Sequence, residues 1–327
     1  MQKRKLGKNG PQIGAIGLGC MSFGGFYGAT DEAESHRTLA LALDLGVDHL
    51  DIANIYGSGV SETVVGTFIK DHPNRFKIAT KAGIKTAPEH GYDNSPDYLR
   101  QCLEDSFARL GVDYVDLFYI HRREQDRPIE DVTQTLAGFI KEGKIGGFGF
   151  SEISPGSLER ASAVHHVMAV QSEYSLWTRL PDLGMIQACE RLGTAFVAFS
   201  PLARGMLTSI MPDPASMGEK DFRKQQPRFE AVNFKYNVEK INRFKDYAVE
   251  RGWTPEALAL AWCLKQGDHI IPIPGTRSPE HLQKDADGAG ITLSKKDMTA
   301  IEQLLPVGFA HGDRYTTKQY NGPERYG

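Results

Sequence analysis

Short apolar runs alternate along this chain with longer stretches in which apolar residues recur every three or four positions. Eight such runs, at residues 16–19, 49–51, 77–81, 115–121, 145–150, 168–171, 196–199 and 270–273, predict buried strands. Between them the helical period predicts helices at about 32–44, 95–110, 129–142, 155–164, 183–191, 238–251 and 255–266, with another opened by Pro279. Pro96 falls in a favourable first turn, and a further helix follows Gly57-Ser58-Gly59 with Ser61 as its expected cap. Residues 4–6 and 12–15 flank a Gly-Lys-Asn-Gly-Pro turn and predict a hairpin at the N-terminus. Eight strand–helix alternations point to parallel strands with helical crossovers. The leading architecture is α/β, a (β/α)8 TIM barrel with an N-terminal β-hairpin and extra helices and loops. An open doubly wound sheet is the competing arrangement. A polar segment at 208–235 interrupts the alternation, but no low-complexity linker divides the chain, so residues 1–327 are expected to form one domain.

Composition narrows the classes. The chain has 327 residues, 40% hydrophobic and 24% charged, with a formal net charge of −3. That balance gives no electrostatic case for nucleic acid or an anionic membrane as partner. No run is long enough to span a bilayer, and the basic start lacks the apolar core of a signal peptide. Cys20, Cys102, Cys189 and Cys263 are scattered, with no metal-ligand spacing, and indicate a reduced, cytoplasmic protein without a metal site. Oligomeric state is not readable from these features.

The chemistry gathers at strand ends. Four apolar runs close on Asp51, Lys81, His121 and Ser151, and Tyr56 follows the first of these in a glycine-rich turn. In a parallel barrel all the C-terminal strand ends open on one mouth, so these groups would converge. A phenol titrates near about 10, and a neighbouring ammonium is expected to lower that value. Asp51 would hold Lys81, and His121 would hydrogen-bond the carbonyl oxygen that Tyr56 protonates. This set suits reduction of a carbonyl, and because no side chain delivers hydride, a nicotinamide cofactor is implied. Phe23, Phe26, Tyr27, Tyr92 and Trp177 follow strand ends as candidate walls of a substrate pocket, and Arg122 and Arg123 as candidate anchors for anionic or hydroxyl-rich substrates. The tail, with Phe309, Tyr315, Tyr320 and Tyr326, would fold over the mouth or meet another copy.

In order and spacing, the stretches GLGCMSFGG, DIANIYGSGVSE, IATKAG, LFYIHR, GGFGFSEIS, VQSEYSLW, FSPLARGML and PIPGTRSPEHL resemble the aldo-keto reductase superfamily, from the hairpin to the loop after the eighth strand. SEIS and VQSEYSLW are similar to its bacterial and plant branches. The resemblance implies the same barrel and a catalytic set of Asp51, Tyr56, Lys81 and His121, with Tyr56 as general acid. It implies reversible, NADPH-dependent reduction of aldehydes and ketones, small-molecule carbonyl compounds being the partners.

No GxGxxG lies between a strand and a helix; the nearest imitation, residues 143–149, runs from helix to strand. The loop Pro274-Gly275-Thr276-Arg277-Ser278-Pro279 opens a helix whose free amides and Arg277 would attract phosphate, although the same residues also describe a well-capped surface helix. The resemblance turns this loop, Gly275, Thr276 and Arg277, towards the 2′-phosphate of NADPH, with His281 and Asp285 further on; NADH remains possible. It also implies Ser151 and Gln171 at the nicotinamide carboxamide and Phe199 against its ring. Ser200, Pro201, Leu202, Arg204 and Gly205 would lie along the pyrophosphate, and Gly19, Cys20 and Met21 at the first strand end. Two positions depart from the superfamily's pattern: Glu152 stands where Asn is common, and Gln283-Lys284-Asp285 replaces Glu-Glu-Asn. Two other activities compete: a Schiff-base lyase using Lys81, and a nicotinamide-binding regulatory protein with little turnover.

Overall fold

The computed structural model describes residues 1–28, 30–86, 89–219 and 221–326. A hairpin of β1 (Lys3–Lys5) and β2 (Gln12–Gly14) precedes eight parallel strands. These are β3 (Leu18–Gly19), β4 (His49–Asp51), β5 (Lys77–Ala82), β8 (Leu117–Ile120), β9 (Phe148–Ser151), β10 (Ala169–Glu173), β11 (Ala195–Phe199) and β12 (Ile270–Ile273). A two-stranded excursion, β6 (Ile84–Lys85) and β7 (Gly91–Tyr92), follows β5. The first and last barrel strands meet: Gly17 N donates to Pro272 O at 3.0 Å and Gly19 N to Pro274 O at 2.9 Å. That closure makes a (β/α)8 barrel and excludes the open sheet.

Ala79, Leu117, Tyr119, Val197 and Ile271 fill the barrel interior, and Leu6 and Ile13 of the hairpin join the same buried cluster. Lys8 N donates to Gly193 O at 2.7 Å, just ahead of β11, so the hairpin covers the N-terminal ends of the strands. The opposite ends are left for the site. A second, larger core lies between the outer face of the sheet and its helices: α1 (Glu32–Leu45), α2 (Val60–Lys70), α3 (Pro96–Leu110), α4 (Ile129–Lys141), α5 (Pro155–Val164), α6 (Met185–Leu192), α8 (Pro255–Lys265) and α9 (Pro279–Asp287). Two helices are additional, α7 (Ala231–Glu250) and α10 (Lys295–Leu304), tied to each other by Tyr247 Oη donating to Asp297 at 2.8 Å. No described helix is long and apolar enough to cross a membrane.

The strands β4 and β12 have the predicted bounds, but other edges moved. Val115 and Ile145 pair only with each other, as an isolated bridge ahead of β8 and β9. The helix α7 begins at Ala231 rather than 238, absorbing the end of the polar segment. Ser61 is not the cap of α2. Gly57, Ser58 and Gly59 all adopt positive φ and tighten the turn, so the helix starts at Val60 with Gly59 as its cap. The Ser61 hydroxyl donates instead to Cys20 O at 2.9 Å, fastening α2 to the loop after β3. Ser278 does occupy the cap position of α9, but its hydroxyl makes no capping bond; Thr276 Oγ1 accepts from Ser278 N at 3.0 Å.

Candidate active site

Asp51 ends β4, Lys81 lies in β5, His121 follows β8, and Tyr56 stands in the turn between β4 and α2. The structure brings all four together at the C-terminal mouth. Lys81 is fully buried, and its Nζ donates to Asp51 Oδ1, to Ile52 O at 2.8 Å and to Tyr56 Oη at 3.3 Å. An ammonium has three protons, so each has an acceptor. The second Asp51 oxygen accepts from Gln171 Nε2 at 2.7 Å. The His121 ring stands edge-on to Tyr56, centroids 5.8 Å apart, and its buried Nδ1 has no hydrogen-bond partner among the described residues.

Burial is the largest influence on all three titrating groups. It pushes the Tyr56 phenol above its ordinary value; Lys81 opposes the shift and Asp51 adds to it. The expected lowering is therefore reversed, because burial of the phenol, with a smaller contribution from Asp51, outweighs the ammonium that was to produce it. For Lys81 burial favours the neutral amine, but Asp51 and then Tyr56 outweigh it, and the group is held above the usual lysine range. His121 falls well below the imidazole range through burial, Arg122 and Lys81, so it is neutral at physiological pH.

A cavity of about 1700 Å³ runs from this cluster across the ends of β11 and β12 to α9. That exceeds the range of about 300–1,000 Å³ usual for a single small ligand, and leaves room for a dinucleotide beside a substrate. Gly19, Met21, Ser151, Gln171 and Phe199 line it near Tyr56. Ser200, Pro201, Leu202, Arg204 and Gly205 follow, then Gly275, Thr276, Arg277, His281 and Asp285 at the far end. Cys20 is the exception: its side chain is buried in the core, Sγ against Leu18 O at 3.6 Å. The donor set suits a nicotinamide dinucleotide. Ser151 Oγ accepts from Arg122 Nη1 at 3.0 Å and keeps its own proton to donate, while Gln171, donating to Asp51, keeps its carbonyl to accept. Arg277 has no carboxylate within ion-pair reach among the described residues. Asp285 is buried, and burial, with Glu256 nearby, pushes its carboxyl well above the ordinary carboxylate range.

The sequence matches the aldo/keto reductase family model over residues 15–306. This chain belongs to the aldo/keto reductase family. It is 36% identical to a probable aldo-keto reductase of Glycine max, over 100% of this chain and 94% of that protein. It is 37% identical to the aldo-keto reductase yakc of Schizosaccharomyces pombe, whose name carries NADP(+), over 95% and 94%. Among solved structures it is similar to a glycerol dehydrogenase from Gluconobacter oxydans, with a TM-score of 0.85 at 27% identity, covering 96% of this chain and 98% of that one. Family members are NAD(P)H-dependent oxidoreductases of carbonyl and alcohol groups, and this reductase is one of them.

In this aldo/keto reductase the tail crosses the mouth. Tyr315, Lys318, Gln319 and Asn321 line the cavity, and Phe309 is buried beneath. A buried ionic network fixes the tail, and none of it was read from the sequence. Arg314 pairs with Glu152 and lies 3.5 Å from Glu173, and Arg204 donates to Glu173 at 2.8 Å. Glu324 pairs with Arg123 and accepts from Ser154 N at 2.7 Å, at the start of α5. Glu152 therefore serves the tail, which accounts for the acid in place of Asn. Arg204, expected along the pyrophosphate, is turned to Glu173, Gln226 and Arg314 O. The guanidinium groups hold Glu173 at about 2 despite its burial.

Proposed function

We propose that this reductase catalyses the reversible, NADPH-dependent reduction of aldehydes and ketones to alcohols, with residues 1–327 acting as one domain. The observation that carries this reading is the enclosed chain Asp51–Lys81–Tyr56, which opens beside His121 on a cavity of dinucleotide size. When bound, NADPH supplies the hydride. Tyr56 gives its proton to the carbonyl oxygen, and Lys81 stabilises the phenolate that remains. Asp51, held by Gln171, keeps Lys81 charged and in place. Neutral His121 donates an N–H to the same oxygen and orients it. Ser151 and Gln171 would hold the carboxamide, Phe199 the ring face, residues 200–202 and Gly205 the pyrophosphate, and Arg277 the 2′-phosphate, with His281 and Asp285 at the adenine end. The yakc relative's NADP(+) agrees with Arg277 at that position. NADH is expected to serve as a weaker alternative.

A lyase that attacks through Lys81 requires a neutral amine, and the buried pairing with Asp51 opposes one. The four buried cysteines, all free, fit a reducing compartment, and the cytoplasm is the proposed location. The test is an initial-rate screen of aldehydes and ketones with each cofactor, run on wild type and Tyr56→Phe. Wild type should oxidise NADPH with several carbonyl compounds, and Tyr56→Phe should lose roughly 100-fold or more of that rate. Absence of turnover with every compound, or equal rates in the two proteins, would end the proposal.

A further inference from the structure

We propose that Arg122 is a substrate-specificity residue, its guanidinium selecting carbonyl substrates that carry a carboxylate. This rests on the reductase reading above and adds a substrate class to it. Arg122 follows His121 directly and lines the cavity on the substrate side. Its Nη1 donates to His121 O at 2.6 Å and to Ser151 Oγ at 3.0 Å, which fixes the plane of the fork. The Nε–Nη2 edge makes no hydrogen bond among the described residues, and no carboxylate there lies within ion-pair reach of the group. Two donors side by side on one edge are the geometry that a carboxylate matches bidentately.

The neighbouring cations make the contrast. Arg123 is bound to Glu324, Arg204 to Glu173 and Arg314 to Glu152. Those three guanidinium groups each have an acid, whereas the half-buried Arg122 lines the cavity without one among the described residues. A partly desolvated cation without a partner is costly, and an anionic ligand relieves that cost. The rest of this end favours the same ligand. His90, Tyr92, Tyr315, Lys318 and Asn321 line it without contributing an acid, and Asp51 is already paired with Lys81. The cavity's other acids belong to different elements: Glu34 to α1, Asp213 to the segment after β11, Glu256 to α8, and Glu280 and Asp285 to α9. The tail also holds the arginine down. A Cβ on Gly322 would stand 2.7 Å from Tyr92 Oη and 3.0 Å from Arg122 Cδ, so the tail packs closely over both side chains.

The experiment compares matched aldehydes with NADPH: para-carboxybenzaldehyde against para-methylbenzaldehyde, and succinic semialdehyde against butanal. The wild type should prefer the anionic member of each pair by roughly tenfold or more in kcat/KM, chiefly through KM, and added salt should shrink the preference. Arg122→Met disturbs Ser151 as well and should lower both rates; the reading is the anionic-to-neutral ratio, which should fall by about tenfold. Arg122→Lys should keep part of it, and this variant together with the salt series decides the question if Arg122→Met does not fold. No preference in the wild type, or a ratio that survives Arg122→Met, overturns the inference and leaves general carbonyl reduction standing. Failure of every aldehyde, neutral ones included, overturns both.

Discussion

His121 and Lys81 show how burial sorts two bases by whether a partner is present. Lys81 has Asp51 and stays charged; His121 is buried with Arg122 and Lys81 as the charges that act on it, and stays neutral. The second case has a consequence for stability. The unfolded chain binds a proton at this histidine near pH 6.5, and the folded chain resists it, so His121 contributes stability above about pH 6.5 that is lost as pH falls below it. His49, buried and likewise lowered, adds to the same loss. Urea midpoints should drop between about pH 7 and about pH 5, and His121→Asn should flatten that slope. A slope unchanged in the variant would place the titration elsewhere. Arg277 makes a separate prediction at the cofactor's far end. Arg277→Ala should weaken NADPH by roughly tenfold or more while leaving NADH nearly as before, read by fluorescence titration with each. Equal losses would remove it from the 2′-phosphate.

The loops after β3 and β4 meet on glycine. A Cβ at Gly24 would lie 2.6 Å from both Gly57 N and Tyr56 C, and one at Gly57 would be 2.8 Å from Gly24 Cα. Both obstacles are backbone, so neither loop can yield by turning a side chain. Gly24→Ala should displace Tyr56 and cut carbonyl reduction by about 100-fold, since shifts of about 1 Å cost that much. The fold should survive with unchanged far-ultraviolet circular dichroism; retained activity would mean the loops relax apart without moving the phenol. These elements also show what the sequence can disclose. Strand β12 was legible as an apolar run bounded by Pro274, and β4 as a short segment that closes on the polar Asp51. Ser61 misled because cap chemistry is local, whereas the helix start was set by three consecutive positive φ angles. Asp51, Tyr56, Lys81 and His121 could be placed together because parallel strands align their ends whatever the loop lengths. The hydrogen bond from Gln171 to Asp51 could not, since it crosses the barrel between residues 120 apart.

Across the whole molecule the tail is the feature that sequence reasoning saw least clearly. Its aromatic residues suggested a cover over the mouth, but the charges that hold it, Arg314 on Glu152 and Glu324 on Arg123, join residues 162 and 201 apart with no pattern to announce them. Breaking one partner of a buried ion pair typically costs about 3–5 kcal/mol. Arg314→Met strands Glu152 and removes one of the three guanidinium groups that act on Glu173, so residues 309–326 should exchange amide hydrogens faster and the KM for carbonyl substrates should rise. Exchange in that segment matching the wild type would show that Glu324 and the aromatic contacts suffice. The two ends of the polypeptide thus belong to opposite poles of the barrel. Leu6 and Ile13 stopper one pole, and the cavity lies at the other, beside the strap that Arg314 holds. A support coupled through Met1 therefore grips the molecule behind the stopper and leaves traffic free, whereas the same coupling at the carboxyl end pulls on the strap itself.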